Sequence, residues 1–170
     1  MRLGEYKMAK VIRLWDNDIT IYSPTHFEKI DKRTKKPHII KQSATKSNGG
    51  YRHIGLTNSK GVLKVFLAHR IMYLSQHPEW DIFDSSRDNS VDHINQTPSV
   101  NDISNLRCVT NQENQFNRKA KGCSQLKSGR WVAYIRVNYK LKYLGSYDTE
   151  EEAHAAYLAE KARLHVIVGH

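Results

Sequence analysis

A carboxylate and an imidazole stand side by side at Asp92-His93, and Asn114 follows 22 residues after the carboxylate, with Asn105 between them. An imidazole exchanges a proton near neutrality. A carboxylate and an amide carbonyl are hard oxygen donors of the sort that hard divalent cations accept. Taken singly, each residue has an ordinary reading: a turn and a surface histidine for Asp92-His93, a turn former for Asn105, a solvated helix residue for Asn114. Only their combination suggests a site.

Four elements must position these side chains. Short apolar pieces around Val91 and from Leu106 to Val109 flank a loop dense in Asn, Asp, Ser and Pro, which reads as two short strands joined irregularly. Neighbours on a regular strand face opposite sides, so Asp92 and His93 serve one site only if the strand ends or twists there. Thr110-x-x-Glu113 is a capping box that opens a helix, with Asn114 in its first turn. The basic run Arg118-Lys119-Ala120-Lys121-Gly122 closes this part as a linker. Upstream, the turn signals Asn48-Gly49-Gly50 and Asn58-Ser59-Lys60-Gly61 frame YRHIGLT and VLKVFLA as a β-hairpin. Leu67, Ile71 and Leu74 recur at helical spacing, predicting a short helix from near Ala68 that stops at Pro78.

The ends of the chain differ in legibility. In the first 47 residues VIRLW and DITIYS read as short strands, followed by a basic, turn-rich stretch, KIDKRTKKPHIIKQ. Near the other end, Trp131, Ala133, Ile135 and Val137 alternate with Arg130, Val132, Tyr134 and Arg136, so one strand face is apolar and the other mixes charge with aromatic rings. A turn at Asn138, the strand KLKYLGSY and a helix capped at Asp148-Thr149 complete a sheet covered on one side.

Composition narrows the partners. With 27 Lys and Arg against 17 Asp and Glu, the chain carries +10 spread along its length, which favours a long polyanion such as nucleic acid. Two cysteines, Cys108 and Cys123, without a C-x-x-C pair, argue against structural zinc. No apolar run approaches ~20 residues and no leader pattern is visible, so the expectation is a cytoplasmic, reduced protein without a membrane partner.

VDHINQTPSVNDISNLRCVTNQEN resembles the HNH endonuclease motif, above all its phage and intron-encoded homing branch, through D-H, N-L-R and V-T-x-x-x-N in order. YRHIGLTN and VFLAHRIMY resemble the segment that precedes that motif, so the likeness spans about residues 48 to 120. It implies a ββα-metal fold in which His93 is the general base and Asp92 and Asn114 hold a single Mg²⁺ or Mn²⁺. Asn105, the middle N, pins the loop. Asn114 replaces the final histidine of many HNH enzymes, which favours hard ions over zinc or nickel. His69 and Arg70 are candidate phosphate contacts.

The stretch from Gly122 to about residue 166 resembles the APETALA-type, ethylene-response-factor DNA-binding domain through W-x-A-x-I-R, Y-L-G-S-Y-D-T and E-E-A-x-x-A-Y. That implies a three-stranded antiparallel sheet lying in the major groove, backed by one helix. Arg130, Arg136 and Tyr143 correspond to DNA-facing residues, with Lys140, Lys142, Arg118 and Lys119 as further candidates. Gln125, Leu126 and Lys127 depart from the plant pattern, so the plant target sequence does not carry over. The expected whole is an α+β chain with a basic β-rich region at 1–47, an HNH nuclease domain at 48–120 and a DNA-binding domain at 121–170. It would be monomeric and would nick double-stranded DNA site-specifically in a bacterial host cell. The alternatives are a DNA-binding regulator that no longer cuts and an RNA-binding protein.

Overall fold

The computed structural model describes residues 9–44 and 49–169; Asn48, the first residue of an expected turn, lies outside them. The chain divides into two compact units, Met1–Cys108 and Val109–His170.

In the first unit, β1 (Lys10–Leu14), β2 (Asn17–Ser23), β3 (His26–Ile30) and β4 (Pro37–Ile39) form an antiparallel meander in that order. Trp15 and Asp16 join β1 to β2 at positive φ, the left-handed pair that lets a two-residue turn follow the strand twist. Alternation along β2 sends Asn17, Ile19 and Ile21 inward. β3 and β4 replace much of the stretch expected to be turns. In β3 only Phe27 is fully buried, so the strand shows no apolar alternation. The Asp31 carboxylate, accepting from the backbone N–H of Arg33 and Thr34, fixes the bend after it.

A second sheet holds β5 (Ser43–Ala44), β6 (Arg52–Thr57) and β7 (Leu63–Leu67). The β6–β7 pair is the expected hairpin, closed by the Asn58 side chain accepting from the N–H of Lys60 and Val62. The α1 helix (Ala68–Gln76) follows without a gap and ends before His77, whose conformation Pro78 restricts. β8 (Ser90–His93) and β9 (Leu106–Val109) make a two-stranded sheet. Ile19 and Phe27 from the meander, Ile54 and Leu56 from the hairpin and Ile71 from α1 lie in one hydrophobic cluster. Residues on the two sides of position 47 therefore share a core. Packing sets no boundary at 47/48, because neither layer alone buries enough apolar area to be a module.

The second unit opens with α2 (Asn111–Phe116), whose capping box between Thr110 and Glu113 is formed in both directions. β10 (Cys123–Gln125), β11 (Trp131–Val137) and β12 (Lys140–Tyr147) pair antiparallel in that order, and α3 (Glu150–Leu164) covers one face. Cys123, Ala133 and Ala153 are the cluster beneath α3, flanked by Trp131, Leu144, Tyr147 and Ala156. Gly122, at φ +69°, sits where an added Cβ would lie 2.0 Å from Cγ of the buried Tyr157 ring. We expect Gly122→Ala to lower the stability of this unit by about 2–4 kcal/mol, from the left-handed backbone plus overpacking. The denaturant midpoint of the near-ultraviolet signal checks this, and an unchanged midpoint would contradict the tight packing of Tyr157.

Candidate active site

β8 ends at His93, and the chain turns at once: Gln96 N–H donates to the His93 carbonyl at 2.9 Å, with Gln96 itself at φ 60°. That strand end resolves the facing problem, because Asp92 and His93 turn to different partners. Asp92, 7% exposed, accepts at Oδ2 from Arg107 Nε (3.1 Å) and Nη2 (2.9 Å) on β9. His93, 3% exposed, places Nε2 2.9 Å from Oδ1 of the buried Asn101 in the connecting loop.

The loop is closed by Asn105. Its Oδ1 accepts from the Asn95 N–H at 3.0 Å, and its Nδ2 donates to Asn95 Oδ1 at 3.0 Å and to the Val100 carbonyl at 2.8 Å. A short 3₁₀ turn over Ile103–Asn105 delivers Asn105 to that position. The imidazole of His93 is walled by His69, at a centroid distance of 4.9 Å edge-on, and by Tyr51 at 5.8 Å. Burial, with smaller contributions from the nearby positive charges of His93, Arg70 and His53, pushes His69 down to about 3. His69 therefore stays neutral at any working pH.

Two side chains at the site, Arg107 and Asn101, escape sequence reasoning. Arg107 lies in the apolar strand LRCV, and a charge on a strand with three buried neighbours implies a carboxylate partner. That signal was readable. Asn101 has no such signal, being one of several Asn residues in a polar loop.

The candidate DNA contacts separate into two groups. His69 is 4% exposed, and the Arg70 guanidinium is engaged by the carbonyls of Ile82, Asp84 and Asn89 and by the Trp80 ring at 4.6 Å. Neither presents itself to a phosphate, which corrects that expectation: both belong to the structural floor beside α1. In the second unit, register pairs Arg136 with Leu141 and Tyr134 with Tyr143, on the face away from Ile135 and α3. Arg136 and Tyr143 are exposed there, Tyr143 at 64%. Arg130 is exposed too, with one bond to the Ser146 carbonyl. Lys142 pairs with buried Ile135 and Lys140 with Val137, so both lie on the helix side, and Lys142 Nζ meets Glu160 of α3 at 2.7 Å. Lys140 and Lys142 are thus removed from the outward face. Arg118 and Lys119 are exposed between α2 and β10.

Among the described residues no group of three or more His, Cys, Asp or Glu side chains could hold a metal ion. The resemblance implies a lighter donor set, Asp92 with Asn114, and the chemistry of that set fits a hard cation that keeps most of its coordination for water and phosphate. A carboxylate has about four acceptor positions, more than the Arg107 pair uses. Asn114 lies in the second unit, half-buried, its N–H bonded to the Thr110 carbonyl at 2.9 Å. No helix among the described residues is long and apolar enough to cross a membrane.

No curated protein matches the chain, and no solved structure does. Residues 66–116, from β7 to the end of α2 and including Asp92, His93, Asn105 and Asn114, match the family model of the HNH endonucleases, and this segment is thereby an HNH endonuclease domain, of a family of nucleases that act on DNA.

Proposed function

We propose that the protein is a site-specific, divalent-metal-dependent DNA endonuclease of homing type that nicks one strand, with the second unit holding the target. The observation that carries the reading is the pairing of an HNH match with a strand end that isolates His93 from Asp92. The imidazole is held by Asn101, while the carboxylate is held ionised by a guanidinium.

Hydrolysis of a phosphodiester needs a proton acceptor for water and a counter-charge for the pentacoordinate phosphate. His93 accepts the proton from water, and its burial among Tyr51 and His69 keeps the ring in one orientation. Asp92 and Asn114 would hold one Mg²⁺ or Mn²⁺, which supplies Lewis-acid polarisation of the phosphate and relief of charge on the leaving oxygen. Arg107 keeps Asp92 ionised and aimed, and Asn105 keeps the loop closed.

DNA reading falls to the outward face of β11 and β12, as the resemblance to APETALA-type domains suggests. Arg136→Ala is expected to weaken binding by ~1–3 kcal/mol at fixed salt if the side chain reads a base, whereas Lys142→Ala, on the helix side, leaves the footprint unchanged. Fluorescence anisotropy on a selected target would measure both, and the reverse ranking would place the DNA on the other side of the sheet.

The direct test is supercoiled plasmid incubated with the full chain and Mg²⁺, with and without chelator. Open circles that vanish with chelator support nicking, and linear product means both strands are cut. Intact plasmid that is still bound by the protein would leave a DNA-binding regulator as the function.

A further inference from the structure

His93 has one ring nitrogen committed. Its Nε2 lies 2.9 Å from Asn101 Oδ1, and both side chains are almost wholly buried, at 3% and 2% exposed. An amide oxygen accepts and does not donate. A neutral His93 bonded to it carries its proton on Nε2, which makes Nδ1 the basic atom. The amide orientation is not compensated elsewhere, since Asn101 Nδ2 has no hydrogen-bond partner among the described residues. A buried donor left unmade is unfavourable, and an apolar residue of similar size would avoid it. The acceptor must therefore contribute something that packing does not.

The loop also joins Asn101 to Asn105. Asn105 Nδ2 grips the carbonyl of Val100, the residue immediately before Asn101, and the Val100 N–H is tied back to the Thr97 carbonyl at 3.0 Å. The backbone that presents Asn101 is thus fixed by the side chain of Asn105. His69 and Tyr51 close the remaining sides of the ring without adding a charge at neutral pH.

We propose that Asn101 is a positioning residue that sets the tautomer of His93, holding the proton on Nε2 so that Nδ1 receives the proton from water, and that Asn105 acts through it. The inference rests on the nuclease reading for its purpose but not for its measurement. Long-range proton–nitrogen correlation spectra of the nitrogen-labelled, metal-free full chain, above neutral pH, report which ring nitrogen carries the proton. The wild-type ring is expected to show Nε2–H alone, Asn101→Ala a mixture of tautomers, and Asn101→Asp, whose carboxylate still accepts, a return to Nε2–H. In cleavage assays Asn101→Ala should lower kcat on the order of 10²-fold with KM within about threefold, and Asn101→Asp should recover most of it.

A wild-type ring protonated on Nδ1 overturns the proposal, and so does an Asn101→Ala protein with unchanged spectrum and kcat. Should Asn101→Ala fail to fold, the wild-type and Asn101→Asp spectra still decide the tautomer. A wild-type protein that shows Nε2–H yet cuts nothing overturns the nuclease reading while upholding the role of Asn101 toward His93.

Discussion

His93→Ala is expected to cut DNA ~10²–10⁴-fold more slowly than the wild type, the contribution typical of a positioned general base, while binding its target within a few-fold. The asymmetry follows from what the imidazole does. It meets the proton that leaves water only as the reaction proceeds, so its interaction belongs to the transition state and not to the bound substrate. Single-turnover cleavage rates and an independent binding isotherm, taken on the same preparation, separate the two effects. Because the ring is buried against Tyr51 and His69, the variant must also be shown to melt cooperatively. His93→Gln, which fills more of the space, serves as a second variant with the same expected loss of rate. Affinity lost in parallel with rate would mean that His93 contacts the ground-state DNA, and the assignment of the base would then fall.

The second large effect is on stability in acid. His69 is buried at the start of α1 and titrates at about 3, against 6.5 for the exposed group, chiefly because burial penalises the cation and secondarily because His93, Arg70 and His53 add like charge. Between those two values the unfolded chain binds a proton that the folded chain refuses. The folded state is therefore favoured above pH 6.5 and loses about 1.4 kcal/mol per pH unit as the pH falls through that range, approaching about 5 kcal/mol near pH 3. A loss of that size is comparable with the whole stability of a small domain. Urea midpoints of the first unit, followed through its buried aromatic signals from pH 7 to pH 4, measure the slope. His69→Gln, which cannot take up the proton, should flatten it above the carboxylate range. Identical pH profiles for the two proteins would show that His69 is not the group resisting protonation.

This acid sensitivity and the catalytic reading share one cause. Hairpin β6–β7 and helix α1 surround the imidazoles so closely that His69 is denied a charge, and the same enclosure keeps His93 in one rotamer, bonded to Asn101. The Asp92–Arg107 pair does the complementary task with charge. A carboxylate this buried is retained as an anion only with a partner, and the guanidinium on the adjacent strand is that partner.

The order of chemistry-bearing residues was legible in the chain alone. Asp92, His93, Asn105 and Asn114 could be named because residue type and spacing survive without coordinates, and Thr110 with Glu113 marked the start of α2 because a capping box is a local, self-contained arrangement of hydrogen bonds. The β6–β7 hairpin, the start of α1 and the alternating faces of β11 were equally readable, since turn chemistry and period-two burial are written in consecutive residues. Tertiary structure alone decided what depends on partners far along the chain. It drew β3 and β4 out of a basic stretch with no apolar alternation, and it merged the first 47 residues with the hairpin in one core. It turned Lys142 toward Glu160 and sank His69 and Arg70 into the floor of the site. It also singled out Asn101 from the other asparagines of its loop. Local propensity has no knowledge of which acceptor will face an imidazole eight residues away; only the closure of the loop over β8 and β9 brings the two within 2.9 Å.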